Sequence, residues 1–211
     1  MNLLSEISEA LQKGDNAKVG EFTQKAIDEG MQPKVVLDDG LIAGMDVIGK
    51  RFRNHEIFLP DVLLSARAMY AGMDLLKPLF LQDEVPSIGK VVLGTVQGDL
   101  HDIGKNLVGI MLKGAGFEIV DLGKDVPPEV FVDTAEKEEA GIIGMSTLLT
   151  TTAPAMIRVI EILRERSLDG TIKTIVGGAP VSQDLAKEIG ADAYGYDAAN
   201  AVDSVKDMVG A

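Results

Sequence analysis

The apolar residues of this chain change their period near residue 82, and that change limits the possible folds more than any other feature. Up to about residue 81 they recur at helical spacing. Leu3, Leu4, Ile7 and Leu11 line a first stretch, closed by Gly14. Asp15 or Asn16 can cap a second, which carries Val19, Phe22, Ala26 and Ile27 and ends at Gly30. Pro33 opens a third, with Val36, Leu37, Leu41, Met45, Ile48 and Phe52 on one face. Pro60 stands at the start of a fourth, lined by Val62, Leu63, Ala66, Met69, Met73 and Leu76. A proline costs nothing in a first helical turn, where the missing N–H would have no intrahelical partner. Four helices with short connections predict an antiparallel four-helix bundle.

Gln82-Asp-Glu-Val-Pro-Ser87 reads as a linker, and beyond it short β-rich runs alternate with amphipathic stretches. The strand candidates are Lys90–Val96, Phe117–Leu122, Ile142–Met145, Thr171–Val176 and Ala193–Tyr196. Helices are expected over 104–115, 128–139, 153–166, 182–189 and 198–209. Five such βα units predict a doubly wound five-stranded parallel sheet of Rossmann type, in flavodoxin-like order. The expected division is a helical bundle over 1–85 and an α/β domain over 88–211.

Composition removes several classes of function. The 211-residue chain is 46% hydrophobic and 25% charged, enough to bury a real core. Its net charge of -13 would repel a phosphate backbone or an anionic membrane surface, so neither nucleic acid nor membrane is an expected partner. Cysteine is absent, which removes disulfides and thiolate metal sites and fits a cytoplasmic location. The N-terminal stretch is acidic and does not read as a signal peptide. No apolar run approaches the roughly 20 residues that span a bilayer.

In an open α/β sheet, ligands collect at the carboxyl ends of the strands. Three of these ends are unusual here. The first strand runs into Gly98-Asp-Leu-His-Asp-Ile-Gly104, which holds one of only two histidines. The third runs into the hydroxyl-rich Ser146-Thr-Leu-Leu-Thr-Thr-Thr152, and the fourth ends in Gly177-Gly178. The glycine pair lets a ligand approach the backbone, and the hydroxyls offer uncharged hydrogen bonds. His101 offers a nitrogen ligand whose tautomer either Asp99 or Asp102 can fix. One imidazole and no cysteine disfavour a bare zinc site, whereas a metal that brings its own macrocycle needs a single axial ligand. Taken singly, each feature has a plainer explanation. A loop histidine is usually solvated, a glycine pair usually a turn, and a threonine run usually a helix cap.

Their spacing removes those explanations. Asp99-x-His101-x-x-Gly104, then 41 residues, Ser146-x-Leu148, then 28 residues and Gly177-Gly178 resembles the cobalamin-binding signature. Proteins with that signature bind the cofactor base-off, with histidine as lower axial ligand. The resemblance covers nearly the whole chain. The first half is similar to the cap domain of methionine synthase and of small corrinoid subunits of methanol, methylamine and methoxyaromatic methyltransferase systems. Phe52, Leu59 and Val62 match cap positions over the upper corrin face, and Asp38 is a looser match to a cap glutamate.

The resemblance implies roles residue by residue. His101 would coordinate cobalt, and Asp99 would hydrogen-bond the imidazole and couple a proton to the change of cobalt state. Gly98, Leu100, Asp102 and Ile103 belong to the same cofactor-binding loop. Gly104 would make room for the displaced nucleotide tail. Ser146 and Thr150 would bond the tail's base region, Leu148 would pack near it, and Gly177 and Gly178 would line its slot. Where methionine synthase extends the His–Asp pair with a serine, this chain has Thr152. Ala198 would lie near the far rim, and His55, between Asn54 and Glu56, reads as an exposed loop residue.

At the level of function, the resemblance implies a methyl-shuttle subunit in one-carbon metabolism, with His101 and Asp99 as its working residues. It would take a methyl group on Co(I) of a cobalamin or related corrinoid from a substrate-specific methyltransferase. A second methyltransferase would pass that group to tetrahydrofolate or coenzyme M. A reductive activator is an expected partner, and the chain alone would not complete a methyl transfer. Residues near 82–88 would act as a hinge. The rival reading is a cobalamin-dependent sensor or regulatory binding module, and a third is a cofactor-free interaction scaffold.

Overall fold

The computed structural model of the chain describes residues 2–80 and 87–210, so most of the expected linker lies outside the described residues. The chain divides into two compact units whose main boundary falls between Ser87 and Ile88, with Gly114–Gly116 grouped with the first.

The first unit is helical. Its elements are α1 (Leu3–Gln12), α2 (Asn16–Asp28), α3 and α4 (Leu59–Leu76). Helix α3 opens at Pro33–Val35, widens into a π-helical stretch at Val36–Ile42 and continues as Ala43–Arg53. Caps fix the starts. The Asn2 carboxamide oxygen accepts the Leu4 N–H at 3.3 Å, and Asp15, one of the two candidates, accepts the Lys18 N–H at 3.1 Å. The buried stripe of α1 is Leu3, Ile7, Ala10 and Leu11. Two expectations fail in detail. On α2, Thr23 is fully buried while Phe22 and Ile27 are only half-buried. Gly72 of α4 explains it, since a Cβ there would lie 3.2 Å from the Thr23 hydroxyl. On α4, Leu63 is exposed, because the packed face runs through Val62, Ser65, Ala66, Met69 and Gly72. Small residues let helices approach closely, and a pattern scored on apolar residues alone overlooks them.

The second unit is a five-stranded parallel sheet in the order β2-β1-β3-β4-β5, the flavodoxin-like order. Strand β1 is Lys90–Val96, β2 Glu118–Val126, β3 Ile142–Ser146, β4 Lys173–Gly177 and β5 Ala193–Gly195. The helices between and after them are α5 (Ile103–Gly114), α6 (Pro128–Lys137), α7 (Pro154–Glu165), α8 (Gln183–Ile189) and α9 (Ala198–Val209). On one face, Val92, Val96, Ile143, Met145 and Val176 pack with Phe131, Met156, Val159 and Leu163 in one core. Gly94 leaves room for Phe131, whose ring lies 2.7 Å from where a Cβ would stand.

Strand β2 runs four residues past its expected end at Leu122. It does so through Gly123 (φ +82°) and Asp125 (φ +56°), where its register with β1 shifts between Leu93 and Gly94 and again before Val96. A bulge of this kind bends a strand and re-aims its side chains. Strand β4 starts at Lys173, after Thr171 and Ile172 have closed a turn onto the Leu168 carbonyl.

Candidate cofactor site

The site grows from the carboxyl ends of β1 and β3. After Val96 the chain turns through Gly98 (φ +83°), a conformation that suits glycine, and delivers Asp99 into the protein. Asp99 is wholly buried. One carboxylate oxygen accepts the His101 backbone N–H at 2.9 Å and meets His101 Nδ1 at 2.7 Å. The other accepts the Leu148 N–H at 2.6 Å, the Thr147 hydroxyl at 2.9 Å, the Thr152 hydroxyl at 3.2 Å and the Leu149 N–H at 3.3 Å. Thr147 and Thr152 are themselves 2.6 Å apart, oxygen to oxygen.

Burial alone would push this carboxyl group toward its neutral form. The backbone N–H groups of His101 and Leu148, the imidazole and the Thr147 hydroxyl outweigh it and hold the group far below the usual carboxylate range. Asp99 is therefore an ion, and an ionised carboxylate only accepts. It follows that His101 Nδ1 carries a proton and donates it to Asp99, so that Nε2 is the nitrogen left to offer a lone pair to a ligand. The side chain is 53% exposed, so that nitrogen is open to a ligand.

Apolar side chains surround the imidazole without being buried. Leu100 is 62% and Ile103 76% exposed, and Leu148 and Leu149 are exposed on the β3 side. An exposed apolar rim around one available nitrogen suits a flat macrocycle that brings its own metal. Asp102 is half-buried at the start of α5, where its carbonyl accepts the Asn106 N–H at 2.8 Å. Of the two carboxylates that can fix the tautomer, Asp99 does so. Gly104 is exposed, and a Cβ there would meet nothing within 4 Å.

Two of the remaining expected residues, Ser146 and Gly177, lie along one row. Thr95, Ser146, Gly177 and Gly195 are register partners across β1, β3, β4 and β5. Side chains alternate across a strand, so all four belong to one sheet face, on which Thr95 is buried and Gly195 packs against α9, where a Cβ would meet the Ala201 Cβ at 2.9 Å. A Cβ on Gly177 would stand 2.8 Å from the Gly195 carbonyl oxygen. Gly178 (φ +122°) presses so closely on the Thr147 carbonyl that its Cβ would overlap it at 1.8 Å. Thr150 is exposed beyond the row. Phe52, Leu59 and Val62 belong to the helical unit, the first two half-buried and Val62 buried. Asp38 lies in the π-helical stretch and pairs with Lys34 at 2.7 Å. Ala198 opens α9 and is buried, and His55 is exposed in the turn after α3.

Four participants went unnoticed in the sequence. Thr147 is nearer the carboxylate than Thr152, and it hides among neighbouring hydroxyls whose strand face only the register reveals. Thr95 donates to the His101 carbonyl at 3.1 Å from inside an apolar run. Gly195 has no glycine partner to mark it. Asp125 accepts the Gly98 N–H at 2.7 Å from a part of β2 that the hydropathy pattern leaves out.

A two-unit chain that pairs a helical domain with a flavodoxin-like domain, and offers one imidazole nitrogen at the sheet's carboxyl edge, fits the binding of a macrocyclic metal cofactor. Family models bear on both halves: residues 89–203 match the B12 binding domain, and residues 3–77 match a second B12 binding domain model. The chain belongs to the B12-binding family, and within it to the two-domain corrinoid proteins. It is 44% identical over 213 residues to the corrinoid protein DSY3155 of Desulfitobacterium hafniense, covering 100% of this chain and 99% of that protein. It is 41% identical to trimethylamine corrinoid protein 1 of Methanosarcina mazei, over 97% of this chain and 95% of that one. Among solved structures it resembles a chain of the methanol:cobalamin methyltransferase complex MtaBC from Methanosarcina barkeri. That match has a TM-score of 0.90 at 34% identity, over 99% of this chain and 80% of that chain. No helix among the described residues is long and apolar enough to cross a membrane.

Proposed function

We propose that this chain carries a methyl group on a bound corrinoid, with His101 Nε2 as the lower axial ligand of cobalt in a base-off cofactor. A bound corrinoid supplies a cobalt that accepts and gives up methyl groups; the protein supplies position, electronic tuning and a proton. The observation that carries the reading is the division of labour in one imidazole. Nδ1 is held by a buried, ionised Asp99, and Nε2 is exposed within an apolar rim.

Asp99 strengthens His101 as a donor, because a histidine that gives its second N–H to a carboxylate is a more basic ligand. The Thr147 and Thr152 hydroxyls donate to the other Asp99 oxygen and keep it an ion that holds the Nδ1 proton, so that when the imidazole lets go it is the exposed Nε2 that takes up a proton. This extends the expected role of Thr152 by one residue. The row of Ser146, Gly177 and Gly195, with Gly178 just beyond it, takes the nucleotide tail. Leu100, Ile103 and Leu148 pack against the corrin, and Phe52 and Leu59 of the helical unit shield the reactive metal. Carrier function requires a methyltransferase that loads the methyl group, one that unloads it and a reductive activator. Relatives named for trimethylamine, dimethylamine and methanol support a small methylated donor. Reconstitution with hydroxocobalamin tests the reading. A red protein with a histidine-ligated spectrum that His101→Ala abolishes is expected, and an unchanged spectrum in that variant contradicts it.

A further inference from the structure

The loop that carries His101 is fastened at both ends to the same strand, and neither fastening belongs to the cofactor signature. At its start, the Gly98 N–H donates to Asp125 Oδ1 at 2.7 Å, and the Asp125 N–H donates back to the Asp99 carbonyl at 3.0 Å. At its far end, Lys105 Nζ pairs with Asp121 Oδ1 at 2.5 Å. The Lys105 side chain is 1% exposed, which is unusual for a lysine and is accounted for by that partner. The same Asp121 oxygen accepts the Gly123 N–H at 2.9 Å, so the acid also pins the bulge of β2. That bulge holds Asp125 at φ +56°, a left-handed conformation that aspartate tolerates better than most non-glycine residues. Asp121 and Asp125 thus stand on either side of one bulge and grip the two ends of the segment Gly98–Lys105.

The geometry points to Asp121 and Asp125 as positioning residues that brace the His101 loop from β2 and so set how readily the imidazole leaves cobalt. This rests on His101 being the cobalt ligand. Neither acid contacts His101, so both act through the loop backbone. A ligand that must bind in one cobalt state and leave in another needs a loop stiff enough to present it and anchored enough to take it back. Two anchors on one bent strand provide that. The bulge has the same source: without the register shift, Asp125 would not meet the turn at Gly98.

The test uses the full chain reconstituted with hydroxocobalamin and reduced to Co(II). The fraction of histidine-ligated cobalt is read from the nitrogen-15 doublet in the electron paramagnetic resonance spectrum of protein whose histidines carry that label. Asp125→Gly removes the carboxylate without adding backbone strain. It is expected to shift the ligation equilibrium toward unligated cobalt by about tenfold, the scale of one hydrogen bond to a charged group. Asp125→Asn keeps an acceptor oxygen and tolerates the left-handed conformation, so near-wild-type ligation is expected. Lys105→Met releases the other end while leaving Asp121, which is half-exposed, in water. A shift in the same direction is expected. Wild-type ligation in either Asp125→Gly or Lys105→Met overturns the two-ended brace, provided His101→Ala still loses the nitrogen signal. If His101→Ala keeps that signal, the assignment of the cobalt ligand itself falls. Native far-UV circular dichroism in each variant separates a loosened loop from a lost fold.

Discussion

Asp99 carries more consequences than any other residue. Removing its charge while keeping its shape, as in Asp99→Asn, turns an NH2 group toward buried donors. The expected loss is about 1–3 kcal/mol of unfolding free energy, measured by urea denaturation. Its pH dependence has a definite sign. The folded-state value lies below that of the unfolded chain, near 3.9 for an ordinary aspartate. The stability Asp99 contributes is therefore complete above that value and is lost as pH falls toward the folded one. Thr147→Val removes a donor and raises the folded value. Its deficit against wild type, about 1 kcal/mol, should be largest at pH 7 and shrink on acidification. A constant deficit across pH would mean that Thr147 does not support the ionised carboxylate.

At this scale the sequence singled out His101 and Asp99 but not their setting. His101 and Asp99 are two residues apart, so their pairing can be read locally. Thr147, 48 positions from Asp99, comes to it only through the pairing of β1 with β3. Thr152 was visible because a family pattern marked its position. No such pattern marks Thr147.

Among the elements, the strands of the sheet were the most legible, because a buried parallel strand reads as an apolar run bounded by glycine and polar residues. Strand β1 matches its expected range from Lys90 to Val96. The sequence pattern ends β2 at Leu122 because Gly123, Lys124 and Asp125, coming soon after the charged Asp121, look like a loop. Those charges are accommodated because the bulge directs Asp121 to Lys105 and Asp125 to Gly98. In the helical unit, periodicity located the helices but misjudged their faces wherever a small residue did the packing, as Gly72 does against Thr23. The end of β4 yields a sharp prediction. Gly178→Ala would place a methyl group against the Thr147 carbonyl at a positive φ, so a loss above about 2 kcal/mol is expected in urea denaturation. Because Thr147 supports Asp99, cobalamin affinity should fall with it. Unchanged stability would contradict the packing at this junction.

The molecule as a whole joins a helical unit to a sheet unit, a division announced by the change of apolar period near residue 82. The proposal that each half serves one face of the cofactor rests on family resemblance alone. Shielding by the helical half predicts that Phe52→Ala speeds photolysis of bound methylcobalamin, followed by absorbance under constant illumination; an unchanged rate would remove Phe52 from that role. Everything proposed for the carrier depends on cobalt being held by the protein's own imidazole. The most direct measurement is electron paramagnetic resonance of the Co(II) form, reconstituted with unlabelled hydroxocobalamin in protein whose histidines carry nitrogen-15. Ligation by His101 converts the triplet splitting of natural nitrogen into a doublet, and His101→Ala abolishes the doublet. A triplet that survives the labelling would mean that the cofactor keeps its own base on cobalt, and His101 would not be the ligand.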